Sequence, residues 1–258
     1  MVRNYENPSV VKRILFGCLA AVFWIGVWYL AALWVGKDWI LPTPWAVLQS
    51  LTRLVPTAEF WETVAKSLLR VLWGYLPGVL VGILGGILTA KSRLLNALLS
   101  PALSVIRATP VTSFILVVWL FFGRDSTPSF ITFLMVLPIV WANVAEGVKT
   151  VDPSLKEVCR LYRIPLLRRM QILYIPHCRP FFSAGVLTAL GLGWKAGVAA
   201  EVLCTPKFSV GKEMFDAKQI LETTDLFAWT MVVILLSLIL EKMLKYFLER
   251  GKRRDSRN

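Results

Sequence analysis

His177 is the single histidine in 258 residues, and this alone narrows the chemistry open to the chain. An intramembrane serine protease needs a Ser–His pair and a zinc protease an HExxH helix. His177 stands in a polar stretch in neither setting and reads as a solvated side chain. Cys18, Cys159, Cys178 and Cys204 show no CxxC or metal-ligand spacing and read as structural thiols. No GxxxxGK[ST] phosphate loop occurs. What remains is a set of ionisable residues within or at the edges of apolar runs: Arg107, Lys195 beside Trp194, and Glu201. Charges inside a bilayer are costly and face a cavity or a partner. Lys195 and Glu201 are six residues apart, off a common helical face, and are not read as a direct pair. Arg107, Trp194, Lys195 and Glu201 are the candidates for a solute pathway. The alternatives are structural ion pairs and, for Arg107, snorkelling to the nearer interface.

The elements that must position these residues are apolar runs of bilayer length. The chain is 56% hydrophobic and 17% charged, with a mean hydropathy of +0.62, against about 45–50% and 25% in soluble domains. A bilayer core needs roughly 20 apolar residues of helix. Six runs qualify, at about 14–35, 71–90, 103–122, 128–148, 181–204 and 226–248, so the fold class is all-α, a polytopic membrane protein in one domain. Ile14–Val35 lacks a small-x-small cleavage pattern and reads as a retained span rather than a signal peptide. Leu103–Phe122 is read as one span following an interfacial segment, and Thr127-Pro128 as the start of the next helix. Six spans put both termini on one side. Nineteen Lys/Arg fall on that side and seven on the other, which makes the termini and the 149–179 loop cytoplasmic. The net charge of +13 then needs no nucleic-acid partner.

Two local patterns carry more detail. Gly74, Gly78, Gly82 and Gly86 recur every fourth residue, a small-residue face for close helix packing in lipid, with Pro77 as a kink within it. Whether that face meets its own chain or a second copy is left open by the spacing. In the 149–179 loop, Asp152 and Pro153 open a helix that ends near Arg163, because Pro165 disfavours helical geometry at Ile164. A second short helix is expected from Pro165 to about Tyr174, ended by Pro176. Two short basic helices at a sharp turn form a protrusion that another protein can grip.

This loop resembles the cytoplasmic signature of the inner-membrane components of binding-protein-dependent ABC importers: Glu-Ala-Ala, three residues, Gly, nine residues, Ile-x-Leu-Pro. Here it reads Glu157-Val158-Cys159, then Arg163, then Leu173-Tyr174-Ile175-Pro176. The spacing matches throughout. Arg163 departs from the usual glycine, and the bend is expected to be set by Pro165 instead. Leu41-Pro-Thr-Pro44, Ser67-Leu-Leu-Arg-Val71 and Trp194-Lys195 followed by Ala199-Ala-Glu201 are similar to the nitrate, sulfonate and taurine branch, with a type I importer-like permease fold over about residues 14–248. The resemblance implies a transport subunit, not an enzyme. It implies two ATPase subunits that hold ATP and Mg, a second permease copy and an extracellular or periplasmic solute-binding protein, with no cofactor bound by this chain. Glu157, Val158, Cys159, Arg163, Pro165, Leu173, Ile175 and Pro176 would couple to the ATPases. A vitamin-precursor permease and the scaffold subunit of an energy-coupling-factor importer are the alternatives; the paired Ala-Arg-Gly motifs of the latter are absent.

Overall fold

A computed structural model describes residues 10–255, and among them every regular element is helical. Of the terminal basic residues counted above, Arg3 and Arg257 lie outside the described residues. The elements are α1 (Val10–Val35), α2 (Pro44–Leu54), α3 (Ala58–Lys91), α4 (Arg93–Ala108), α5 (Val111–Lys149), α6 (Pro153–Leu161), α7 (Leu166–Arg169), α8 (Ile175–Cys204), α9 (Val210–Gln219) and α10 (Thr223–Asp255), with a π turn at Met170–Tyr174 between α7 and α8. Side-chain caps start many of them. Thr43, Thr57, Ser92 and Ser209 each accept the backbone N–H three residues on, at 3.2–3.3 Å.

α5 is two helices joined at Gly123, whose φ of 72° and ψ of 178° only glycine adopts without strain. The second limb, from Arg124 to Lys149, is the centre of the molecule, gripped between α3 and α8. On the α3 side a Cβ added at Gly78 would lie 2.9 Å from Val136, one at Gly82 2.9 Å from Val140, and one at Gly86 2.8 Å from the Trp141 carbonyl; Gly74 faces Ser129 and Thr132 in the same way. The ladder therefore packs within the chain. Both partners of each contact advance together, so α3 and this limb run parallel. The segment between them must cross back, and α4 with the first limb of α5 makes that return. α8 lies antiparallel on the other side, with Gly193 against Val136 and Gly197 against Thr132.

Among the described residues five helices are long and apolar enough to cross a membrane; the return arm is the sixth passage but not a sixth continuous helix. The expected span Leu103–Phe122 is broken at Thr109, which is extended (φ −77°, ψ 130°) because Pro110 follows it. Thr127 is not an N-cap either. The helix already starts at Arg124, Pro128 falls where few backbone bonds are lost, and the Thr127 hydroxyl donates to the Gly123 carbonyl at 2.6 Å. Pro176 does not end a helix: Leu166–Cys204 is continuous. The π turn just ahead of Pro176 widens the backbone where the ring would otherwise press on the preceding turn.

Candidate functional site

The loop after α5 builds a compact protrusion at the basic end of the bundle. Asp152 accepts the Ser154 N–H at 2.8 Å and opens α6. The helix closes with a Schellman motif: the Ile164 N–H reaches the Cys159 carbonyl and the Arg163 N–H the Arg160 carbonyl, both at 3.0 Å. Arg163 carries the positive φ, +49°, at the position that glycine usually fills. The bend is thus set by Arg163 itself and not by Pro165, at a cost of roughly 1–2 kcal/mol. Pro165 starts α7 as its exposed N-cap.

The eight motif residues divide into two groups. Cys159 and Leu173 are buried with Val151, Ile164 and Tyr174 and hold the two halves together. Glu157, Val158, Arg163, Pro165, Ile175 and Pro176 face outward. Glu157 is exposed and makes no ion pair with Lys156, Arg160 or any other described residue. The same protrusion exposes Leu155, Val158, Leu161, Tyr162, Leu166 and Leu167, from 47% to 80%. This apolar surface was missed in the sequence; its signal was a set of large apolar side chains in a loop that otherwise reads as polar. His177 is half-buried near Phe181, its Nε2 3.2 Å from the Thr150 hydroxyl in a solvent-exposed contact.

The four pathway candidates also separate. Trp194 is fully buried, its indole N–H donating to the Val233 carbonyl at 3.1 Å, and Glu201 is fully buried as well. Both are interior residues of this subunit. Glu201 accepts from the Ser67 hydroxyl at 2.8 Å, the Gly211 N–H at 3.2 Å and Arg70 Nη1 at 3.4 Å. Arg70 also donates to the Lys207 and Phe208 carbonyls at 2.7 and 3.0 Å. The cluster ties α3, α8 and the strap before α9 together at the end of the bundle away from the protrusion. Ser67 and Arg70 share a helix face three residues apart, and that spacing was the signal for them.

Lys195 and Arg107 remain outside the packed interior. Lys195 is exposed on an α8 stripe with Ala184, Thr188, Leu192 and Ala199, and no described residue pairs with it. Arg107, exposed at the end of α4, donates to the Pro138 carbonyl at 3.1 Å instead of snorkelling to an interface. Thr132 and Val136 pack beside Gly197 and Gly193, so Lys195 and Arg107 lie within about one turn of the same depth along α5, near its middle. Neither cation has a carboxylate partner among the described residues.

Comparison with known proteins follows the same line. Residues 78–253 match the family described as binding-protein-dependent transport system inner membrane component. An aliphatic sulfonates transport permease protein of Escherichia coli is 32% identical over 77% of this chain and 76% of its own. A nitrate import permease protein of Leptolyngbya laminosa is 30% identical over 74% and 68%. A bicarbonate transport system permease protein of Synechococcus elongatus is 27% identical over 72% and 67%. Among solved structures, an amino acid ABC transporter chain superposes with a TM-score of 0.58 at 16% identity, covering 80% of this chain and 97% of that one, a likeness of fold.

Proposed function

The chain belongs to the binding-protein-dependent transport system inner membrane component family, and from that premise we propose that two copies of it form the pathway of an ATP-driven importer for a small inorganic or organic anion. The basic end of the bundle faces the cytoplasm, following the positive-inside rule. There each protrusion docks on one ATPase subunit, which holds the ATP and Mg, through Glu157 and the exposed apolar side chains of α6 and α7. A binding protein delivers the anion to the outer end. ATP-driven closure of the two ATPases moves the protrusions together and turns the pathway inward.

The observation that carries the anion reading is the common depth of Lys195 and Arg107. A cation at the bilayer centre costs about 2.5–3.5 kcal/mol on insertion scales, and neither has a carboxylate in its own subunit to offset that. The relatives that carry sulfonates, nitrate and bicarbonate share only the charge and small size of their substrates. The test is uptake into vesicles holding the permease with its ATPase and binding protein, with each anion class offered in turn. Lys195→Met should cut uptake at least tenfold while the complex assembles normally, and Lys195→Arg should retain most of it. Normal uptake by the Met variant would remove Lys195 from the pathway.

A further inference from the structure

At the basic end a cavity of about 290 Å³ opens between α3, α5 and the start of α8. Its walls are Ile83, Ile87, Val144, Val148 and Phe182, and the charged residues among the described lining are Lys91 and Arg179. Lys91 is the exposed last residue of α3. Arg179 is held at the rim by its bond to the Leu248 carbonyl, at 3.5 Å. The volume is close to the lower end of the range for ligand pockets, about 300–1,000 Å³, enough for part of an acyl chain rather than a whole lipid. Apolar walls below and cations above, at the level where the spanning helices end, match one amphiphile: a phosphate ester on a hydrocarbon tail.

We infer that this cavity is a binding site for one anionic phospholipid of the inner leaflet, its phosphate between Lys91 and Arg179 and one acyl chain against Ile87 and Val148. The inference rests on the proposed orientation, because basic pockets between helices on the cytoplasmic side select anionic headgroups. The wall nearest the protrusion is made by Met170, Tyr174 and Ile175, at and beside the π turn. A bound lipid therefore fills the space behind the turn that carries the coupling loop into α8, and steadies it.

The test uses the full-length chain in mild detergent, titrated with phosphatidylglycerol, phosphatidylcholine or glycerol phosphate. Thermal unfolding and native mass spectrometry are read together. Phosphatidylglycerol should raise Tm by about 5 °C at roughly a hundred times its Kd, with one lipid retained per chain, while the other two do neither. Lys91→Gln should weaken the shift at least fivefold at unchanged basal Tm. Val148→Trp, which fills the cavity, should abolish it. Equal protection by phosphatidylcholine, an equal effect of glycerol phosphate, or a full shift in both variants would each overturn the site. Binding is read without transport, so a failed uptake experiment leaves this result standing, and the reverse.

Discussion

Glu157 is the residue on which the coupling argument turns. Its carboxylate stands among seven Lys/Arg between Lys149 and Arg179 yet pairs with none of them. A surface charge of that kind contributes little to stability, because even exposed pairs are worth only about 0–1 kcal/mol. Enclosed against an ATPase groove, it would be desolvated, and truncating one member of such a pair costs about 2–5 kcal/mol. Glu157→Ala should therefore leave thermal stability unchanged, lower ATPase co-purification more than tenfold and uncouple hydrolysis from substrate. Loss of stability with retained co-purification would make Glu157 a fold residue. Arg163 shows the limit of reading a motif by residue identity. The positive φ that glycine normally supplies is present without it, because the two Schellman hydrogen bonds and the buried Ile164–Cys159 contact hold the turn.

At the level of elements, most of the spans were legible, because apolar runs and polar breaks report burial in lipid directly. Their ends were not. α3 extends thirteen residues before its apolar run, through Glu59, Glu62, Lys66 and Arg70, since helix continuity depends on caps and packing rather than on hydropathy. The return arm was misread for the opposite reason: hydropathy runs unbroken past Thr109-Pro110 while the backbone does not. The Gly74–Gly86 ladder was legible as a packing face, but its partner was not, because four-residue spacing is blind to what lies opposite. Gly78→Ala should destabilise by about 1–3 kcal/mol through overpacking against Val136. Gly26→Ala, where a Cβ meets nothing within 4 Å, should be neutral or stabilising. Thermal unfolding of the two variants side by side checks the pair, and equal effects would deny the close approach. Glu201 was legible as a charge and illegible in role, since its three donors come from α3 and from the start of α9. Arg70→Ala leaves that fully buried carboxylate one donor short and frees two strap carbonyls. The expected loss is about 3 kcal/mol, with hydrogen exchange rising first at residues 205–211; exchange unchanged there would place the strap's stability elsewhere.

On the scale of the whole molecule, the unpaired features gather on one arm. α4 is buried only at Leu103, and its exposed side is not uniform. Asn96, Ser100, Ser104 and Arg107 form a polar stripe at helical spacing, whereas Leu94, Leu98 and Val105, 62–69% exposed, form an apolar one on a different face. Lipid satisfies the second stripe and not the first. A polar stripe that ends in a mid-depth cation needs water, and a single bundle offers α4 no wall to enclose it. In the proposed pair, a second copy facing the stripe would supply that wall and bring its own Arg107 and Lys195 to the same level. In a background freed of the four native cysteines, Ser104→Cys should react with a water-soluble maleimide and give linked dimers with a short bis-maleimide, while Leu98→Cys does neither. One further control sets sidedness: Ser154→Cys, exposed on α6, should label only from the cytoplasmic side, whereas the buried Cys159 is a poor reporter. If Leu98→Cys links and Ser104→Cys stays dry, the two copies meet across the apolar face, and the cations of α4 line no shared path.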